Sequence, residues 1–161
     1  MTVITCPNPL LRTYNTGSSE TSIGLQKIIE STINDLRQAI SWSRACEPLE
    51  VLRETYSECA DNDWDGYGAK AMTAATYDEA IRFLNSLPSN VPLPEIIPEP
   101  SGEIGFEWNN GINKILAASV GGTNMITYAG ILGKSNKAHG TEIFNDSTPA
   151  NILENIKRIY Q

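Results

Sequence analysis

A run of acidic residues and glycines between positions 61 and 69 is the part of the sequence best suited to chemistry. Asp61, Asp63 and Asp65 alternate with other residues, and Gly66 follows them. This spacing matches positions 1, 3, 5 and 6 of a calcium-binding loop, in which alternating carboxylates converge on the ion. Position 12 of such a loop supplies a bidentate glutamate, but this chain has Met72 there. The run therefore predicts either a Ca²⁺ or Mg²⁺ site that lacks its closing ligand or a structural turn. We favour the turn and expect no cofactor.

The same run has the composition of a well-anchored turn. Gly66 and Gly68 allow left-handed backbone conformations, and an aspartate can accept hydrogen bonds from loop amides. In this interpretation Trp64 and Tyr67 pack into the hydrophobic layer beside the turn. These four residues are then structural rather than catalytic.

His139 is the only histidine in the chain. A general base would need a nucleophile and an orienting carboxylate, for which Ser135 or Thr141 and then Glu142 are the nearest choices in sequence. A single histidine beside a glycine is more typical of a hydrogen-bonding loop residue. No phosphate-binding loop, nucleophile elbow or zinc-protease motif occurs. We therefore expect no catalytic residues and no enzymatic activity.

Acidic residues are concentrated in one segment. The net charge of the chain is −7, and positions 47 to 65 hold seven acids against Arg53 alone. Four of the acids recur at helical spacing and are predicted to form a partner-binding surface: Glu47, Glu50, Glu54 and Glu58. Such a surface repels nucleic-acid phosphate, so we expect no direct nucleic-acid binding, and it attracts a basic protein surface. The alternatives are a solvated helix face and an acidic mimic of nucleic acid.

The chain has three widely spaced cysteines, Cys6, Cys46 and Cys59, without a Cys-x-x-Cys pair. Neither a zinc site nor a disulfide framework fits this pattern. No window approaches the length of a membrane-spanning segment, and the first residues do not have the pattern of a signal peptide. The sequence predicts a cytoplasmic protein that does not bind membranes.

The first 60 residues predict a helical arm. After an irregular segment up to residue 18, a helix begins near Ser19, and Pro48 suits the first turn of a second helix, so that the two form a hairpin. Apolar residues follow one face of the first helix: Ile29, Ile33, Leu36 and Ile40. This stripe either docks on a protein partner, pairs with a second copy of the chain as a homodimer, or covers the free face of a sheet.

Residues 61–161 predict an α+β module, which is either a separate domain or continuous with the arm. Thr73 is a suitable N-cap for a helix over residues 74–87, and Asp146 to Pro149 precede a final helix. Between the helices, prolines confine the strand near residues 95–97 to an edge, and alternating apolar residues joined by tight turns predict further antiparallel strands. These strands are residues 104–108, 112–120, 125–132 and 140–144. The predicted fold is an antiparallel β-meander of three to five strands with helices packed on it.

Four motifs in this module occur together in one protein family. They are Trp-Asp-Gly-Tyr-Gly-Ala at 64–69, Trp108, Tyr-Ala-Gly at 128–130 and His-Gly-Thr-Glu at 139–142. With them, residues 61–160 resemble a family of uncharacterised bacterial proteins. The resemblance implies a self-standing α+β module that recurs with different N-terminal additions, and it implies no catalytic residue.

Together these patterns predict a non-enzymatic protein-interaction module, acting as an accessory or regulatory subunit of a bacterial complex. A metal-dependent hydrolase or cation-binding protein centred on Asp61 to Asp65 is the alternative enzyme hypothesis.

Overall fold

The computed structural model describes the chain from Glu20 to Gln161, with the side chains of residues 23–33 and 46–161. The predicted irregular segment at residues 1–18 lies outside the described residues. The elements in chain order are α1 (Glu20–Glu58), α2 (Ala74–Ser86), β1 (Glu95–Pro98), β2 (Ile104–Asn109), β3 (Lys114–Val120), β4 (Met125–Leu132), β5 (Lys137–Ile143) and α3 (Ala150–Ile159). The predicted α+β class is confirmed.

The five strands form one antiparallel sheet in the order β1-β2-β3-β4-β5. Short turns join neighbouring strands, and only antiparallel neighbours can be connected in this way. Phe106 lies opposite Ala118, Ala118 opposite Tyr128, and Tyr128 opposite Gly140. The predicted meander is therefore confirmed, with β1 at one edge. The bounds of β4 agree with the sequence, whereas β3 begins two residues later and β5 three residues earlier than predicted.

The first helix differs from its prediction. α1 is one continuous helix from Glu20 to Glu58, and Pro48 lies inside it rather than at the start of a second helix. The prediction of a helical hairpin is therefore wrong. Proline within a helix removes one backbone hydrogen bond, but the preceding residues 41–47 contain no glycine, asparagine or aspartate with which to make a turn.

The two other helices begin where their capping residues predict. The side chain of Thr73 accepts a hydrogen bond from the amide of Thr76 at the start of α2, and Pro149 occupies the N-cap of α3. Residues of both helices enter the core: Ala80, Phe83 and Leu84 from α2, and Ile152, Ile156 and Ile159 from α3. Tyr160, which directly follows α3, is 40% exposed.

The core lies between one face of the sheet and the helices. The large buried side chains of the strands alternate along them, as period-two patterning requires: Ile104, Phe106, Trp108, Leu116, Val120 and Ile126. Phe83 of α2 contacts three aromatic rings, those of Phe106, Trp108 and Phe144. The indole nitrogen of Trp108 donates to the carbonyl of Pro92 at 2.8 Å, so the one polar atom of this buried side chain has a hydrogen-bond partner.

The opposite face of the sheet is more open than the face that packs on the helices. Ile115 and Ala117 of β3 are half-buried there, while Ala129 and Ile131 of β4 are exposed. The apolar composition of β3 on both faces favours cover on both sides, yet this sheet buries only one face fully. Antiparallel sheets commonly have one solvated face.

Two units divide the chain, with the boundary between Ile40 and Ser41. The domain boundary predicted at residues 60 and 61 stays a prediction. Among the residues that the structure describes, no helix is both long enough and apolar enough to cross a membrane.

Candidate functional site

The acidic surface lies on the C-terminal part of α1. Glu47, Glu50, Glu54 and Glu58 are all exposed, and their spacing of three, four and four residues places them along one side of the helix. Their clustering creates a local negative potential that favours a cationic partner.

The opposite side of the same helical segment is anchored in the core. Leu52 is fully buried, Cys59 is 2% exposed, and the ring of Tyr56 stacks on that of Tyr77 in α2. Burial, and next the charge of Glu58, raise the pKa of the Cys59 thiol. A raised pKa leaves less thiolate at neutral pH, so Cys59 is suited to packing rather than to nucleophilic chemistry. The anchoring holds the four glutamates on a fixed helix surface.

A groove of about 400 Å³ runs beside the first of these glutamates. Its apolar lining comes from α1 and from the segment that enters β1: Pro48, Val51, Leu93, Pro94 and Ile96. Val51 and Leu93 are 41% and 37% exposed. Carboxylates of Glu47 and Glu95 also line the groove. An apolar groove with acidic side chains is suited to a segment that carries both apolar and basic residues.

The predicted apolar stripe lies on the N-terminal part of α1. Ile29 and Ile33 of this stripe are 55% and 41% exposed, and the neighbouring Leu25 and Ile28 are 57% and 64% exposed. The side chains of Leu36 and Ile40 lie outside the described residues. Large apolar side chains exposed in succession along a helix are typical of a surface that another protein covers.

Asp63 and Asp65 hold the loop together by accepting hydrogen bonds from its own amides. Oδ1 of Asp63 accepts from the amide of Gly68 at 2.7 Å, and Oδ1 of Asp65 accepts from those of Tyr67 and Ala69 at 2.8 and 3.1 Å. The hydrogen bond from Tyr67, followed by that from Ala69, lowers the pKa of the Asp65 carboxyl. These contacts fit the structural interpretation of the turn.

The turn residues behave differently from one another. Gly66 and Gly68 have φ values of 73° and 93°, so both occupy the left-handed region that the sequence predicts. Trp64 packs against the core and donates from its indole nitrogen to the carbonyl of Lys70 at 3.1 Å. Tyr67 is 93% exposed, so the prediction that it packs into the hydrophobic layer is wrong. The adjacent glycines turn the chain so that this ring points to solvent.

The predicted metal ligands are not brought together. Within residues 23–33 and 46–161, no group of three or more His, Cys, Asp or Glu side chains is placed to hold a metal ion. Met72, at the position of the missing glutamate, is buried in the core, and its amide donates to the carbonyl of Cys59 at 2.8 Å. Asp61 is exposed. The twelfth position of the motif therefore serves packing in this chain.

His139 lies on β5, where the alternation of side chains separates it from the candidate carboxylate of Glu142. His139 and Thr141 point to the open face of the sheet, whereas the intervening alternation places Glu142 on the opposite face. Oε1 of Glu142 accepts from the side chain of Asn151 at 2.6 Å. A histidine, hydroxyl and carboxylate relay is not assembled by these residues.

The groove beside Glu47 was missed by sequence reasoning. Leu93 and Ile96 meet Val51 only through folding, since more than 40 residues separate the two segments. The only local signal is the alternation of prolines and apolar residues from Val91 to Pro98, which indicates an edge segment but not what it packs against.

Comparison with family models, with curated proteins and with solved structures finds no match to this chain. The resemblance of residues 61–160 to a bacterial family stays a prediction.

Proposed function

We propose that this protein is a non-enzymatic interaction module that serves as an accessory or regulatory subunit of a bacterial protein complex. The observation that carries the proposal is the exposure of Leu25, Ile29 and Ile33 along α1, each above 40%. Exposing such side chains to water costs about 25 cal/mol for every Å² of apolar surface that a partner would otherwise bury. A binding partner that covers these side chains would remove their apolar surface from water and gain that free energy.

The charge of the second part of α1 supports the same proposal. Four exposed glutamates and the apolar groove beside Glu47 form a surface of mixed character. Negative potential at the rim of an interface accelerates association with a basic partner, while apolar contacts at its centre supply affinity. We therefore propose a protein partner whose docking surface is basic and apolar. A cytoplasmic location belongs to the proposal, and the free thiols of Cys46 and Cys59 fit a reducing compartment.

The experiment uses the full chain as bait in extracts of its native host, at low and at moderate salt. Two variants accompany the wild type. The apolar variant carries Leu25→Gln, Ile29→Gln and Ile33→Gln, and the charge variant carries Gln in place of Glu47, Glu50, Glu54 and Glu58. Asp78→Asn, which neutralises an exposed carboxylate on α2, is the matched control.

The proposal predicts a defined set of proteins on the wild-type and control baits that is depleted on the apolar bait. The charge variant should lose those proteins first at moderate salt, because rim charges mainly affect the rate and salt dependence of association. An identical set on all four baits, together with a monomeric chain in light scattering, would contradict the proposal. A homodimer that the apolar variant dissociates identifies a second copy as the occupant.

A further inference from the structure

The two edges of the sheet differ in how well they are protected. β1 has four residues, includes Pro98 and directly follows Pro94, features that block the addition of another strand. β5 has seven residues and no proline. An edge of this length that no proline interrupts is the feature on which proteins build strand-addition sites.

The hydrogen-bond pattern shows which backbone groups of β5 face outward. The carbonyl of Asn136 accepts from the amide of Leu132, and the amide of Phe144 donates to the carbonyl of Asn124, both at 2.8 Å. Hydrogen-bonded positions alternate in an antiparallel pair, so the even-numbered residues of β5 bond to β4. The amides and carbonyls of His139 and Thr141 therefore point away from the sheet.

A polar groove of about 380 Å³ lies along this edge, between β5 and α3. Ala138 and Tyr128 form its base, and the α3 side is lined by Asn151, Glu154, Asn155 and Arg158. Gly140 leaves space for the ring of Tyr128, since a Cβ at this position would lie 2.9 Å from the Tyr128 hydroxyl. An edge strand beside a helix gives an added strand both backbone partners and a wall for alternate side chains.

The ends of this groove carry different charges. At one end the side chain of Asn151 donates to Oε1 of Glu142, and Glu154, one turn before Arg158 on α3, supplies the carboxylate of the lining. Arg158 lines the groove from α3, and the carbonyl of Ile159 beside it accepts from the side chain of Asn110 in the turn between β2 and β3. Lys137 lines the groove from β5, but like His139 it belongs to the residues whose side chains point to the open face of the sheet. That turn lies at the end of the sheet where β5 begins, so α3 runs antiparallel to β5 and Arg158 lies at that end of the groove.

We propose that this groove binds the C-terminal tail of a partner protein as a sixth strand. The tail runs antiparallel to β5, bonds to the backbone of His139 and Thr141, and places its terminal carboxylate near Arg158. An antiparallel strand places its C-terminus at the end of the groove where the guanidinium of Arg158 lies, so the two opposite charges meet. The site does not involve α1, so it goes beyond the proposed function and can fail or succeed independently of it.

The test selects ligands for the full chain from a phage library of random heptapeptides displayed with free C-termini. Enriched peptides are synthesised as the free acid and as the C-terminal amide, and their affinities are measured by fluorescence polarisation. We expect the amide to bind at least tenfold more weakly than the acid. Arg158→Gln should produce a similar loss for the acid, whereas Lys157→Gln, a neighbouring cation outside the groove, should not.

Backbone pairing is tested on the peptide, so that the fold of the protein is not disturbed. Methylation of those peptide nitrogens that donate to β5 should abolish binding, and methylation of the alternate nitrogens should not. Hydrogen exchange of the amides of His139 and Thr141 should slow on binding. No enrichment, equal affinity of acid and amide, or protection elsewhere would overturn the proposal. Dimerisation that protects these amides without peptide would assign the edge to a second copy instead.

Discussion

The ring of Tyr56 in α1 stacks on the ring of Tyr77 in α2, with 4.5 Å between ring centroids and 21° between ring planes. Both side chains are partly buried and pack against the core. Together with buried Leu52, this contact fixes the acidic part of α1 to the module. The position of the four glutamates therefore depends on this aromatic pair. Neither tyrosine is charged, and neither lines the groove beside Glu47.

Loss of this pair should destabilise the fold. We expect Tyr56→Ala to lower the free energy of unfolding by about 1–2 kcal/mol, because both apolar burial and the aromatic contact are lost. Urea denaturation followed by circular dichroism measures the change. Tyr67→Ala is the matched control, since its ring is 93% exposed, and it should change stability by less than about 0.5 kcal/mol. Equal effects of the two substitutions would contradict the role of the stack.

The turn at residues 61–69 should contribute a pH-dependent component of stability. Hydrogen bonds from Tyr67 and Ala69 lower the folded-state pKa of Asp65 below its ordinary 3.8. A carboxyl whose pKa is lower in the folded state stabilises the protein fully above the unfolded pKa, and this contribution is lost as the pH falls through the folded pKa. Asp65→Asn removes the titration while keeping an acceptor oxygen.

The stability of the wild type should therefore fall more steeply than that of Asp65→Asn as the pH is lowered from neutrality to below 3.8. Urea denaturation at a series of pH values measures both curves. Asp61→Asn, at an exposed position in the same run, serves as the control. Parallel curves for the wild type and Asp65→Asn would show that the loop amides do not bind the ionised carboxylate in solution.

Glu79 is a third feature with a measurable consequence. It is fully buried on α2, and neither carboxylate oxygen has a hydrogen-bond partner among the described residues. Burying a polar group without a partner is costly, and an unbranched apolar side chain of similar size avoids that cost. We expect Glu79→Met to raise the free energy of unfolding by about 1–3 kcal/mol, measured by urea denaturation.

The control for Glu79→Met is Asp78→Asn at the adjacent exposed position, which should be neutral within about 0.5 kcal/mol. A destabilised Glu79→Met variant would mean that the carboxylate has a partner in solution. In that case Glu79→Gln, which retains hydrogen-bonding capacity, should be the milder of the two substitutions.

The sheet was predictable because its signals are local. Ile104, Phe106 and Trp108 alternate with other residues, and Asn109 to Gly111 supply a tight turn, so strand, face and connection follow from adjacent residues. The helical hairpin was predicted wrongly because a proline is compatible with both a helix start and a helix interior. Only the lack of glycine, asparagine and aspartate in residues 41–47 argues for the continuous helix that forms.

The candidate site was predictable only in part. Helical spacing is enough to place Glu47, Glu50, Glu54 and Glu58 on one exposed side of α1. The groove beside them depends on where β1 docks, and the groove along β5 depends on which strand ends the sheet. Both are consequences of tertiary contacts between distant segments, which residue spacing does not encode.

The Tyr-Ala-Gly and His-Gly-Thr-Glu motifs each contain a glycine at a position where the structure has no space for a Cβ atom. A Cβ at Gly130 would lie 2.7 Å from the carbonyl oxygen of Ile115 and 2.8 Å from Cδ1 of Leu116, closer than real contacts allow. The central strands β3 and β4 would have to separate to accept it. Gly140 similarly gives space to the ring of Tyr128.

Gly130→Ala should therefore destabilise the protein by about 2–4 kcal/mol, at the upper end of the cost of overpacking, because backbone rather than a flexible side chain must move. Thermal and urea denaturation measure the loss. Thr127→Ala, at an exposed position on the same strand, is the control and should stay within about 1 kcal/mol of the wild type. If Gly130→Ala has the same urea midpoint as the wild type, β3 and β4 are not packed as closely as their register implies. The glycine of the motif would then have a role other than allowing the close approach of the two strands.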